Sequence, residues 1–129
     1  MLNKWLLALD YDSASGYEVR SKLRNPIAVT YCSAGDGFSV IVDQSGHIWS
    51  WGSNLYGNLG VGDTTIRSLP TRVETLVGRC IRIREVHAGA EHVMAICAQG
   101  SCYTWGNGAG GRLGRGGIYD SATPAKLDH

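Results

Sequence analysis

Ala34-Gly35-Asp36-Gly37-Phe38-Ser39-Val40-Ile41-Val42-Asp43-Gln44-Ser45-Gly46-His47-Ile48-Trp49-Ser50-Trp51-Gly52 decides the fold, because its skeleton comes back once, in register. Ala34-Gly35 recurs as Ala88-Gly89, Gly46 as Gly100, Trp51-Gly52 as Trp105-Gly106, Gly57 as Gly111, Leu59-Gly60 as Leu113-Gly114, and Pro70 as Pro124. Each pair lies 54 residues apart, without a gap. Self-similarity at a fixed period of a few tens of residues marks solenoids, propellers or arrays, in which each unit buries its apolar face only against its neighbours.

Within the stretch, short apolar runs alternate with turn residues, as in all-β proteins. Strands are expected at 27–33, 38–43 and 47–51, with a turn at Gln44-Ser45-Gly46 and a short outer strand at 70–73. A proline is tolerated there as the first residue of an edge strand. Side chains alternate along a strand, so Trp49 and Trp51 share one face and Ile48 takes the other. Both faces are apolar, which places the sheet between two other layers. The second unit repeats the plan at 83–88, 93–97, 102–105 and 124–127, with Tyr103 and Trp105 as the aromatic pair. Each aromatic is expected to bury about 200 Å² against the next unit. The fold class is therefore all-β: four-stranded antiparallel blades of a β-propeller, two blades plus a partial one, not a closed ring alone. Residues 1–26 are an extension or the remnant of a preceding blade, with Tyr17-Glu18-Val19 as its outer strand and Arg20, Lys22 and Arg24 in a solvated loop. Residues 27–76 and 77–129 are the two repeats.

Composition narrows the class further. Twelve Lys and Arg against eleven Asp and Glu leave no basic excess, so direct nucleic-acid binding is not expected. Cys32, Cys80, Cys97 and Cys102 form no C-x-x-C, and read as buried free thiols of an intracellular protein. The apolar run at 5–9 is broken by Asp10 and is too short to span a membrane. Residues 106–111 fit G-x-G-x-x-G, yet no helical pattern follows, so no dinucleotide cofactor is implied. Residues 110–117 resemble an arginine-glycine RNA-binding tract but are explained by the blade loop. His87 and His92 flank Glu91 without a third partner, so neither a metal site nor a catalytic constellation is expected.

The repeated signature at 50–62 and 104–116, Trp-Gly followed by Gly-x-Leu-Gly-x-Gly, resembles the regulator-of-chromosome-condensation repeat, the unit of a seven-bladed propeller. The kelch repeat is the rival, since Gly110-Gly111 is a doublet of its kind, but Tyr56-Gly57 breaks it in the first copy. The resemblance implies that Trp51, Gly52, Gly57, Leu59 and Gly60, with Trp105, Gly106, Gly111, Leu113 and Gly114, are structural. A full ring of this period needs roughly 380 residues, so either this is part of a longer protein or chains associate to complete the stack. Blade loops line a propeller's binding surface, which makes Asp36, Gly37, Phe38, Glu91 and His92 the candidate contact residues. Light-sensing members of the family carry Gly-Trp-Arg-His-Thr at this stretch, and Asp36 and Ala90 stand at the tryptophan here. The namesake members catalyse nucleotide exchange on Ran-type GTPases, with an inserted wedge that is not recognisable in this sequence. The expected function is protein-protein interaction, without enzymatic turnover and without cofactor or metal. The alternatives are a guanine-nucleotide exchange factor for a Ran-type GTPase and a truncated product without function.

Overall fold

A computed structural model describes residues 9–12, 17–20 and 27–128, with side chains from 27 onward. The first four-stranded sheet runs β3 (Val29–Ala34), β4 (Phe38–Asp43), β5 (Ile48–Gly52), β6 (Arg67–Arg72). A five-residue helix, α1 (Glu74–Gly78), leads to the second sheet: β7 (Ile83–Ala88), β8 (His92–Cys97), β9 (Cys102–Gly106), β10 (Ser121–Lys126). All neighbours are antiparallel, in chain order from the inner to the outer strand. Ahead of them β1 (Leu9–Asp12) pairs with β2 (Tyr17–Arg20). The two sheets are the expected blades. Arg20 lies in β2 and not in a loop, whereas Lys22, Arg24 and most of the apolar run at 5–9 fall outside the described residues. Among the described residues no helix is long and apolar enough to cross a membrane.

The main core lies between the sheets. The first contributes Phe38, Val40, Val42 and Ile48, and the second Val86, Val93, Ala95, Tyr103 and Trp105. A smaller cluster of Ile27, Ile41 and Trp49 occupies the other face of the first sheet, with Trp51 packed against it. The first sheet is thus apolar on both faces, as its alternation requires. The aromatic pair of the second unit faces backward, onto the unit that precedes it, and not onto the next one as expected from sequence. The pleat fixes only that the pair shares a face; the direction of stacking fixes which neighbour that face meets.

Two local features depart from the sequence reading. Pro70 and Pro124 sit inside the outer strands, not at their first residue, and each is buried. The register shifts there, between Ser50 and Gly52 in one blade and between Ser121 and Ala125 in the other. A bulge removes the ladder bond that proline cannot donate, so the same device absorbs the same residue twice. The helix α1 was not expected. It ends with Ile81 N–H donating to Leu76 O and Cys80 N–H to Val77 O, both at 3.0 Å, with Cys80 left-handed at φ 56°. This is the Schellman closure, with cysteine where glycine is usual.

The tight turns are capped by a shared device. Asp43 Oδ1 accepts from Ser45 N–H (2.8 Å) and His47 N–H (3.0 Å), and Oδ2 from the Trp49 indole (2.9 Å). Cys97 holds the corresponding place in the second blade. Burial raises its pKa, but hydrogen bonds from the Gln99, Ser101 and Gly100 backbone and the Ser101 side chain outweigh burial and lower it overall. All four cysteines are free, yet only Cys97 is buried; Cys32 and Cys80 are exposed because they lie on an inner strand edge and beyond a helix end.

Candidate functional site

The loop from β3 to β4 (residues 35–37) and the loop from β7 to β8 (residues 89–91) meet across the two blades. Asp36 N–H donates to Ala90 O at 2.8 Å. Below them Ala88 N–H donates to Ser33 Oγ at 3.0 Å, and at the far end of the sheets Ile83 N–H donates to Gly46 O at 2.9 Å. The blades are therefore stitched along their inner strands, and the loops are held in a fixed relation. Between them opens a cleft of about 230 Å³, lined by Asp36, Gly37, Ser53, Leu55, Tyr56 and Glu91 among others.

Backbone geometry explains why these residues converge. Phe38 pairs with Gly52, so the chain leaving β5 passes beside the 35–37 loop, and Ser53 N–H donates to Gly37 O at 2.9 Å. Gly52 has φ +107°, and a Cβ there would lie 2.4 Å from Gly37 O, so only glycine permits the approach. Gly106 repeats this, with a Cβ position 2.6 Å from Glu91 O. Asn58 Nδ2 donates to Ser53 O at 2.7 Å and fixes the floor of the cleft.

The cleft is acidic on two sides. Asp36 is exposed at its edge. Glu91 Oε1 accepts from Asn107 Nδ2 at 3.2 Å, with Arg112 Nη1 3.8 Å away. Leu55, 73% exposed, supplies an apolar rim. Such a notch suits a polar or cationic side chain carried on an apolar stem, as a protein surface offers. Among the described residues no group of three His, Cys, Asp or Glu side chains could hold a metal.

Of the five residues singled out from sequence, Asp36, Gly37 and Glu91 line the cleft. Phe38 does not. It is 4% exposed, with its ring packed beneath Gly35 and in the inter-blade core. His92 is its counterpart and packs the same way beneath Gly89, with Nδ1 buried and without a hydrogen-bond partner among the described residues. Desolvation, and then the charge of Arg112, lower the His92 pKa from its ordinary value. Ser53, Leu55 and Tyr56 were missed from sequence, because the 52–65 loop read as spacing between signature glycines. The pairing of Phe38 with Gly52 is the signal that brings them to the cleft.

The signature residues have structural uses. Trp105 is fully buried and its indole donates to Asn58 O at 2.9 Å across the blades. Gly60, at φ +75°, lies so close that a Cβ would stand 2.7 Å from the Trp105 Nε1. Leu59 and Leu113 are buried, and their carbonyls accept the Ser50 and Thr104 hydroxyls at 2.8 Å.

The chain resembles known proteins along most of its length. The model described as "Regulator of chromosome condensation (RCC1) repeat" matches residues 45–96 and 99–129, and a second model of the same description matches 29–58. The Ultraviolet-B receptor UVR8 of Arabidopsis thaliana is 37% identical over 106 residues, 82% of this chain and 24% of the receptor. Yeast RCC1 (Prp20), solved bound to Kap60, superposes with a TM-score of 0.73 at 21% identity, over 96% of this chain and 31% of that one. Prp20p from Saccharomyces cerevisiae, described with its binding properties to Gsp1p and histones, gives 0.73 at 22% identity, over 96% and 32%. The chain thus spans about a quarter to a third of the length of these proteins. Their likeness overturns the expectation of a chain without enzymatic turnover: the shared fold is that of the family's namesake, to which the sequence resemblance already ascribed nucleotide exchange on Ran-type GTPases. The two in-register units, the inter-blade tryptophan and the matched models together make this chain a member of the RCC1 repeat family.

Proposed function

We propose that this chain is a two-blade sector of an RCC1-type propeller that engages a Ran-type small GTPase, within a guanine-nucleotide exchange factor. The observation that carries the reading is the cleft where Asp36 and Glu91 arrive from two successive blades, held by the Asp36–Ala90 backbone bond. The fold shared with Prp20p, described as binding Gsp1p, supports the choice of partner. In this reading residues 1–26 belong to a preceding blade, and 27–76 and 77–129 are successive repeat units. Asp36, Gly37 and Glu91 contact the partner, while Phe38 and His92 hold their loops from beneath. The setting is intracellular.

Exchange factors act by binding the nucleotide-free GTPase more tightly than the loaded one, so that association and nucleotide release are linked. The test measures both with the purified chain: binding to a nucleotide-free Ran-type GTPase, and release of a fluorescent GDP analogue from the loaded form. Association is expected, with accelerated release, and Asp36→Lys or Glu91→Lys is expected to weaken binding by about tenfold, or 1.4 kcal/mol, each. Absence of binding, or binding unaffected by both charge reversals, removes the reading.

A further inference from the structure

The end of the sheets opposite the Asp36–Glu91 cleft carries a second opening, at the seam between the blades. It holds about 270 Å³, and its walls include Thr30, Asp43, Gln44 and Gly46 from the first unit and Arg82 and Arg84 from the second. The repeat does not call for these arginines, since Ala28 and Thr30 stand at the same places in the first unit.

Both units place a bulge here. On β3 the register passes from Val29–Asp43 to Tyr31–Val42, and on β7 from Ile83–Cys97 to Glu85–Ile96, so Thr30 and Arg84 are the extra residues. A bulge bends the strand and re-aims the side chain that has no partner opposite. Thr30 turns its hydroxyl back onto Val42 O at 3.2 Å. Arg84 instead keeps its side chain 60% exposed, with Glu85 Oε2 no nearer than 3.8 Å. The other oxygen of Glu85 is taken by His87 at 3.1 Å.

Arg82 is held more firmly. Its stem crosses Gly46, where a Cβ would stand 2.3 Å from the arginine Cγ, and Nη2 donates to Gln44 O at 3.1 Å. None of the carboxylates of the described residues lies within 4 Å of its guanidinium. Asp43 is the one carboxylate at the cleft wall among the described residues, and its oxygens are engaged by the Ser45 and His47 N–H groups and the Trp49 indole. The cleft thus presents two guanidiniums, one of them fixed in place, beside a carboxylate that is occupied elsewhere.

Two such forks at one small opening suit an anion with more than one charge and more than two acceptor oxygens. A carboxylate has two oxygens and one charge, which a single guanidinium satisfies; a phosphate monoester has three and carries about −1.5 to −2 at pH 7. No aromatic ring of the described residues lines the cleft, so a nucleobase finds nothing to stack on, and a polypeptide is the better carrier of the phosphate.

We propose that the seam cleft binds the phosphate of a phosphoserine or phosphothreonine on a protein partner, with Arg82 and Arg84 as its donors. The chain then has a second interface, switched on by phosphorylation of the partner. This stands apart from the GTPase reading, because it uses other residues at the other end of the sheets.

The test titrates the isotope-labelled full chain with the peptide Gly-Gly-phosphoserine-Gly-Gly at constant ionic strength and follows the arginine Nε–H resonances. Saturable changes at Arg82 and Arg84 are expected, with a Kd of about 1 mM for one phosphate without flanking contacts. The serine and glutamate versions of the peptide are expected to bind at least about tenfold more weakly, and so is the phosphopeptide to Arg82→Gln or Arg84→Thr. Arg79→Gln removes an exposed arginine outside the cleft and is expected to leave the affinity within about twofold, which separates a site from general attraction. Urea midpoints confirm that the variants remain folded. Absence of saturation by about 20 mM, equal binding of the glutamate peptide, or an equal loss in Arg79→Gln and the cleft variants overturns the phosphate site. Inorganic phosphate is the last probe: weaker binding than the phosphopeptide is expected, and binding as tight overturns the protein-borne source.

Discussion

Replacing Trp105 by phenylalanine probes the joint between the blades most directly. The indole is fully buried and donates to Asn58 O at 2.9 Å, in a residue 3% exposed. Phenylalanine cannot donate, so a buried carbonyl loses its partner, at about 1–3 kcal/mol. The smaller ring also leaves a void beside Gly60 that backbone cannot fill, worth a further 1 kcal/mol or so. The expected loss is about 2–4 kcal/mol, a large part of the roughly 5–15 kcal/mol that holds a domain folded. Urea unfolding followed by far-UV circular dichroism would measure it, and with a slope near 2 kcal/mol/M the midpoint should fall by about 1–2 M. Trp51→Phe is the control. Trp51 is its counterpart but only half-buried, so a smaller loss is expected. A loss below about 1 kcal/mol for Trp105→Phe would refute the claim that the indole–carbonyl bond ties the blades.

Asp43→Ala should cost about 2–4 kcal/mol in the same assay, because Ser45 N–H, His47 N–H and the Trp49 indole lose their acceptor together. Cys80→Gly should stabilise by about 0.5–1 kcal/mol, read as a raised urea midpoint, since glycine adopts the φ of 56° without strain. The folded-state pKa of His92 lies below its unfolded value of 6.5, so the unfolded chain binds the proton more readily. Stability is thus full above pH 6.5 and falls as pH drops through that value towards the lower folded pKa; His92→Phe should flatten this fall in thermal melts between pH 7.5 and 5. Gly60→Ala should cost at least 2 kcal/mol by urea unfolding, from a Cβ 2.7 Å from Trp105 Nε1 and a φ of +75°.

Much of this was legible because the repeat constrains it. Two copies in one register predict two sheets, and alternation within each strand predicts that Ile48 and Trp49 part to opposite faces. Strand ends moved by one to three residues, most at the start of the two outer strands, and α1 escaped notice because five residues with one buried side chain, Leu76, carry no periodicity. The candidate site was half legible. Loop position pointed to Asp36, Gly37 and Glu91, but the same five-residue windows also held Phe38 and His92, whose rings turn inward beneath Gly35 and Gly89. Adjacency along a chain does not say which side chain a loop buries.

By itself the sequence determined the period, the strand count, the paired aromatics and the glycines that the turns need, since these follow from local backbone sterics and from alternation. Only the tertiary structure decided that the Tyr103–Trp105 face looks back onto the first blade, that Asn58 O is the acceptor for its indole, and that Ser53, Leu55 and Tyr56 join Asp36 and Glu91 around one cleft. The physical reason is that each of these depends on the direction in which one sheet stacks on another, and stacking direction is set by packing between residues some fifty positions apart, which no local pattern records.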